Sequence, residues 1–87
     1  MGVTKLVLDV LKTIRGPTLI DMAQKIVELP GVDHVNIKVN EVDVETLTLT
    51  ITIEGTDIDF ERVRKLIESM GAVIHSVDEV TAAKESG

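Results

Sequence analysis

Hydrophobic and polar residues alternate strictly along residues 47–53, which read LTLTITI. Every second side chain in this run is Leu or Ile, and the side chains between them are Thr. Such alternation predicts a β-strand with one face in the core, because successive side chains of a strand point to opposite faces. The other face carries threonine where lysine or glutamate would suit water equally well, so its contacts need an explanation.

Six elements in the order β-α-β-β-α-β are predicted along the chain. Alternation predicts strands over residues 5–14, 35–40, 46–54 and 72–80. Apolar residues at helical spacing predict helices over residues 19–29 and 60–70. The last residues, TAAKESG (81–87), are predicted to be frayed.

Polar residues and glycine predict where each helix begins and ends. Thr18 and Asp21 have the spacing of a capping box at the start of the first helix, directly after the breaker RGP. Asp57 is the predicted N-cap of the second helix, and Asp59 in its first turn is favourable toward the helix dipole. Gly71 suits the C-terminal end of that helix.

This order of elements favours an α+β, ferredoxin-like βαββαβ sandwich as a single domain over residues 1–87, with an ordered core over residues 3–80. Right-handed crossovers place both helices on one face of a four-stranded antiparallel sheet with strand order 4-1-3-2. A weak internal repeat supports two βαβ halves, since IVELPG (26–31) resembles LIESMG (66–71).

The threonine face of the third strand is then the side that the helices leave open. It carries Thr46, Thr48, Thr50 and Thr52, and is uncharged along its middle strand. One interpretation is that threonine has a high β propensity and forms cross-strand pairs. The other, which we favour, is that this face meets another subunit, because the exposed sheet surface of a monomer usually carries more charge.

Composition supports assembly as the means of stabilising so short a chain. With 87 residues the chain buries only about 60–65% of its unfolded surface. There is no Cys, which excludes disulfides, thiolate zinc sites and cysteine nucleophiles, and Phe60 is the only aromatic residue. Small domains without disulfides or a structural metal are commonly stabilised by a partner subunit, so we expect a homo-oligomer.

The charge distribution argues against nucleic-acid binding. The net charge is −6, and between Glu28 and Glu61 nine acidic residues face a single base, Lys38. An acidic middle repels phosphate, and single strands need basic grooves and aromatic platforms that this chain lacks. The N-terminus carries no basic-then-apolar leader and no run of about 18 apolar residues exists, so we expect a cytoplasmic protein without a membrane partner.

Closely spaced carboxylates mark the hairpin between the second and third strands as a candidate divalent-cation site. Glu41, Asp43 and Glu45 alternate in sequence and would share one face of a regular strand, and Asp78 and Glu79 of the last strand complete the candidate metal set. Ca²⁺ needs six or more oxygen ligands, so these would have to converge from separate segments or neighbouring subunits. The alternative is a solvated acidic hairpin that discourages edge pairing.

Ser76, His75 and Asp78 invite comparison with a catalytic triad, but strand geometry argues against it. Adjacent strand residues point to opposite faces and cannot hydrogen-bond in series. No Gly-x-Ser-x-Gly elbow is present, so we expect no enzyme. His75 is then a structural or interface histidine or, alternatively, a contact to a metal or small molecule.

Several segments resemble an uncharacterised archaeal family, the domain-of-unknown-function family two hundred and eleven. They are LVLDVLK, NEVDVET, TIEG, FERVRKLIESMG and VIHSVDEV, and the resemblance spans residues 3–84. It implies a ferredoxin-like fold and ring-shaped homo-oligomers that can carry bound Ca²⁺, and it implies no reaction.

The segments RGPTLIDMAQKI (15–26) and PGVDHVNI (30–37) are similar to ACT-type amino-acid sensing modules. This second resemblance implies a small metabolite held at a subunit boundary near Arg15, Gly16 and Thr18, and His75 is a further candidate ligand contact.

Taken with the residue patterns, these resemblances predict a non-enzymatic, self-assembling binding or regulatory domain that binds Ca²⁺ weakly through acidic loops. An ACT-like metabolite sensor is the alternative. A small hydrolase or isomerase using His75 and Asp78 is a third class.

Overall fold

The computed structural model describes residues 2–84. Its elements confirm the βαββαβ order, with the bounds β1 Gly2–Thr13, α1 Leu19–Val27, β2 Val32–Val42, β3 Thr46–Gly55, α2 Phe60–Ser69 and β4 Ala72–Ala83.

Both strands of the β1–β4 pair are longer than predicted, because β1 begins earlier and β4 ends later. β4 continues to Ala83, where fraying was expected, because Ala82 and Ala83 pair with Val3 and Gly2 of β1. Residues 85–87 of the predicted frayed tail lie outside the described residues.

The four strands form one antiparallel sheet in the order β2-β3-β1-β4. This is the predicted order 4-1-3-2 counted from the opposite edge. β1 and β3 lie in the centre, whereas β2 and β4 form the two edges. β2 therefore runs parallel to β1, and β4 runs in the opposite direction to both.

The core lies between one sheet face and the two helices. It is built from alternate residues of the central strands and from the apolar stripes of the helices, as the periodicity predicts. Its most buried members are Leu6, Leu8, Val10, Met22, Ile26, Leu49, Ile51, Ile53, Val63 and Ile67, each 2% exposed or less.

The helix start at Thr18 is confirmed and the predicted cap of α2 is wrong. The Asp21 amide donates to Thr18 Oγ1 at 3.1 Å, and the Thr18 amide donates to Asp21 Oδ2 at 3.2 Å. Asp59, not Asp57, caps α2, because its carboxylate accepts from the amides of the next helical residues. The turn is longer than predicted since the intervening Ile58 is buried and its amide bonds to β1.

The helices cover only part of the sheet. Helices of 9 and 10 residues span about 14–15 Å at 1.5 Å per residue. Strands of 11 and 12 residues span roughly 36–40 Å at 3.3 Å per residue. The molecule is accordingly elongated, with extents of 45 × 22 × 17 Å, and strand ends project beyond the helix layer. Neither helix in residues 2–84 has the length and apolar character needed to cross a membrane.

Candidate functional site

Exposed valines line both edge strands. We call them the edge valines: Val39 and Val42 on β2, and Val73, Val77 and Val80 on β4, between 37% and 70% exposed. An edge strand already presents unpaired N–H and C=O groups, and exposed apolar side chains along it favour pairing with another chain.

Four of the edge valines are exposed because the helices are too short to cover them. Val77 lies opposite Leu8 and Val80 opposite Leu6, so both point to the helix side of the sheet. On β2, Val39 lies opposite the buried Leu49 and Val42 lies opposite Leu47 in the same way. These side chains have the orientation of core residues without a helix above them.

The open face is more charged than the threonine pattern suggests. Across the sheet, Asp9 of β1 lies opposite Thr50, and Thr50 lies opposite Lys38 of β2. Lys5 lies opposite Glu54 further along the same face. Uncharged threonines in β3 are therefore flanked by charges that the pattern of one strand does not reveal.

Only two large apolar side chains of the open face are strongly exposed among the described residues, and they are neighbours. Leu11 of β1 pairs with Val73 of β4. Within the sheet, the exposed apolar side chains therefore lie mainly along the two edge strands.

A shallow cavity of about 300 Å³ opens on this face. We call it the open-face cavity; it is lined by Asp9, Val10, Leu11, Thr48 and His75. His75 faces it because the β1–β4 register shifts between Asp9 and Val10, leaving His75 as an extra residue of β4. Such a bulge redirects a side chain and ends strict alternation.

A second cavity, of about 500 Å³, lies beside the β2–β3 hairpin. This hairpin cleft is lined by Thr13, Ile14, Arg15, Val44 and Glu45. The Ile14 amide donates to the Glu45 carbonyl at 3.0 Å, which ties the loop after β1 to the hairpin.

The three hairpin carboxylates do not lie on one regular strand. β2 ends at Val42, so Asp43 and Glu45 belong to the turn and only Glu41 to the strand. Asp43 Oδ1 accepts from the Val44 amide at 2.7 Å, which stabilises the turn. All three carboxylates are exposed.

The other two predicted metal ligands lie on the opposite edge of the sheet. Asp78 Oδ1 accepts from Ser76 Oγ at 2.6 Å, and Glu79 forms a 3.1 Å ion pair with Lys5. Three strand spacings, about 14 Å, separate β4 from β2. No group of three His, Cys, Asp or Glu side chains that could hold a metal ion is present in residues 2–84.

The predicted ligand-binding residues are divided between separate places. Arg15 lines the hairpin cleft, Gly16 follows it with a left-handed φ of 94°, and the Thr18 hydroxyl is engaged in the capping box. His75 lines the open-face cavity instead. Ser76 donates to Asp78 and not to His75, so these three residues form no hydrogen-bonded series.

Lys12 is a buried residue that the sequence interpretation missed. Its side chain is 1% exposed, and its ammonium donates to the carbonyls of Thr13 at 2.8 Å and Arg15 at 3.1 Å. It thereby holds the loop beside the hairpin cleft. The signal was present, because Lys12 continues the core-facing alternation of Leu8 and Val10.

Comparison with known proteins places these features in a family. The model of the domain-of-unknown-function family 211, described as "Uncharacterized ArCR", matches residues 4–86. The chain belongs to this archaeal family of unknown function. A relative from Methanocaldococcus jannaschii, named "Uncharacterized protein MJ0319", is 46% identical over 84 residues, which cover 97% of this chain and 86% of the relative. Both findings agree with the predicted resemblance.

Proposed function

We propose that this chain is a non-enzymatic, self-assembling domain whose copies join along their sheet edges and bind Ca²⁺ weakly at the boundary between them. The observation that carries the proposal is the row of edge valines on both edge strands. Strands of 11 and 12 residues with exposed apolar side chains are strong templates for pairing.

The two edges are suited to each other. β4 runs opposite to β2. A second copy in the same orientation can therefore place its β2 beside β4 and continue the antiparallel sheet. Contacts between unlike surfaces of identical chains are head-to-tail, and they close into a ring when the rotation between copies allows it. A ring is thus the form of homo-oligomer that we propose.

Edge-to-edge assembly also bears on the acidic residues. Glu41 lies on the β2 edge of one copy, with Asp43 and Glu45 in the turn that follows it, and Asp78 and Glu79 lie on the β4 edge that would meet β2. Ca²⁺ takes six to eight oxygen ligands, more than either edge offers alone. Carboxylates from two copies are therefore the proposed source of a weak site.

Light scattering tests the assembly. We expect the wild-type chain at micromolar concentration to give a multiple of the 9.5 kDa chain mass. Val77→Lys with Val80→Lys should give the single-chain mass, because two buried charges at the boundary would be unpaired. The matched control is Ile20→Lys, an exposed apolar residue that belongs to α1 and not to an edge strand, which should assemble like the wild type. A wild-type mass of one chain would contradict the proposal.

Calorimetric titration with CaCl₂ tests the cation site. We expect saturable heat from the wild type and its loss in Asp78→Asn with Glu79→Gln. Glu28→Gln removes an exposed carboxylate after α1 and should leave the heat unchanged. No heat and no shift in melting temperature from Ca²⁺ would end the cation proposal while leaving the assembly proposal to its own test.

An ACT-like sensor of a small metabolite is the second candidate, and the hairpin cleft favours it. Arg15 lines this cleft together with apolar Ile14 and Val44, and could pair with a ligand carboxylate. A panel of amino acids in a thermal-shift assay tests this function, with Arg15→Gln expected to remove any stabilisation.

For the enzyme class, His75→Ala should abolish any activity found in a broad substrate screen. A cytoplasmic location remains a prediction.

A further inference from the structure

The polar side chains of the open-face cavity lack partners within the described chain. Asp9 is half-buried, and its carboxylate forms no ion pair and accepts no hydrogen bond from residues 2–84. Thr48 and His75 likewise form no side-chain hydrogen bond in that part of the chain. Three unpaired polar groups thus converge on one cavity.

The cations near Asp9 are engaged elsewhere or separated from it. Lys5, on the same strand, pairs with Glu79. Lys38 lies on β2, with Thr50 of β3 between it and Asp9. Two strand spacings amount to about 10 Å, so the two backbones are not adjacent. Asp9 therefore presents an unneutralised carboxylate to whatever occupies the cavity.

The other walls add hydrogen-bonding and apolar contacts. The Thr48 hydroxyl can donate or accept, and the His75 imidazole can do either according to its tautomer. Leu11 supplies an apolar wall and is 47% exposed, so apolar surface is available to a ligand. Carboxylate, hydroxyl, imidazole and aliphatic wall together match a cationic head group with a short apolar chain.

We propose that the open-face cavity binds a small primary amine, with its ammonium on Asp9 and its alkyl part against Leu11. An anionic ligand is disfavoured because it would meet the Asp9 carboxylate and a chain of net charge −6. The volume of about 300 Å³ lies at the lower end of the range for small-molecule pockets, which suits a compact ligand. This site shares His75 with the β4 edge strand and shares no lining residue with the hairpin cleft.

NMR titration of the 87-residue chain with n-butylamine tests the proposal. We expect saturable shifts of the backbone amides of Asp9, Leu11, Thr48 and His75. n-Butanol, which has the same chain without the charge, should give no saturable shift. Asp9→Asn should bind butylamine about tenfold more weakly or worse, because the ammonium loses its ion pair and donates instead to a neutral amide oxygen.

Two further variants keep the test decisive. Glu54→Gln removes another carboxylate from the same face, opposite Lys5, and should leave butylamine affinity unchanged. His75→Ala alters an exposed residue and should weaken binding even if Asp9→Asn proves unstable. Equal weakening in Glu54→Gln would mean that a general negative field attracts the amine, and would overturn the proposal. Shifts confined to other residues, or none with butylamine, would also overturn it.

Discussion

At the scale of single residues, Lys12 shows how a polar residue can take a core position. The alternation of β1 places Lys12 on the face that the helices cover. Its long side chain reaches two carbonyl groups at the end of β1 and in the loop that follows. Hydrogen bonds to those carbonyls offset part of the cost of removing an ammonium from water. Alternation could have predicted the burial, but the acceptors come from a loop whose path the sequence pattern does not specify.

Substitutions at Lys12 separate packing from hydrogen bonding. Lys12→Ala should lower the free energy of unfolding by about 3 kcal/mol, because it leaves a cavity in the core. Lys12→Met keeps most of the volume and avoids burying a charge, so its cost should stay below about 1 kcal/mol. Denaturant unfolding measures both values. Equal losses of unfolding free energy in the two variants would show that the hydrogen bonds of the ammonium, and not packing, account for most of the stability that Lys12 contributes.

Gly55 is required by a close approach of two backbones. A Cβ at this position would overlap the carbonyl of Gly31, whose oxygen also accepts from the Thr56 amide at 2.7 Å. Gly55→Ala should therefore cost about 3 kcal/mol, since the backbone at the end of β3 or just before β2 must move. Glu54→Ala, at the exposed neighbouring position, is the control and should change stability by no more than about 0.5 kcal/mol. Equal losses of stability in Gly55→Ala and Glu54→Ala, measured by thermal unfolding, would contradict this explanation.

At the scale of elements, α2 carries an arginine between two carboxylates of its own exposed face. Arg64 Nη1 lies 3.1 Å from Glu68 Oε1, and its Nη2 lies 2.6 Å from Glu61 Oε2. The hydrogen bond and the charge of Arg64 lower the pKa of Glu61, and the two glutamates raise the pKa of Arg64. Both groups are exposed, so the stabilisation is small and screened by salt.

The lowered pKa of Glu61 predicts the direction in which the stability of the fold changes with pH. Because the folded pKa lies below the unfolded one, the pair stabilises the fold above the unfolded pKa and this contribution is lost as pH falls through the folded pKa. Arg64→Gln should raise the Glu61 pKa toward its ordinary value, measured by NMR titration of the side-chain carboxyl. Arg62→Gln removes a cation that pairs with Asp59 instead, and should not raise it. An unchanged Glu61 pKa in Arg64→Gln would refute the pairing.

Periodicity predicted the six elements and their order because burial acts on every second strand residue and on one stripe of each helix. Periodicity did not predict the bulge at His75. One extra residue in β4 changes the sheet face to which a side chain points, and the hydrophobic pattern carries no separate signal for it. It also misplaced Asp43 and Glu45, because a pattern of alternate carboxylates does not reveal that β2 ends before them.

At the scale of the whole molecule, the mismatch between helix length and strand length is the basis of the proposed assembly. Two short helices cannot cover an elongated sheet, so apolar side chains at the ends of β2 and β4 remain exposed. The threonine face is less apolar than these edges and has charged neighbours. The proposed contact between copies is therefore assigned to edge pairing and not to stacking of open faces.

Hydrogen–deuterium exchange followed by mass spectrometry tests edge pairing most directly. If copies join along β2 and β4, peptides covering both edge strands exchange slowly in concentrated solution and faster on dilution, while β1 and β3 stay protected throughout. The Val77→Lys, Val80→Lys chain should show fast exchange at both edges at every concentration. Fast exchange along β2 and β4 of the wild type, independent of concentration, would contradict the account.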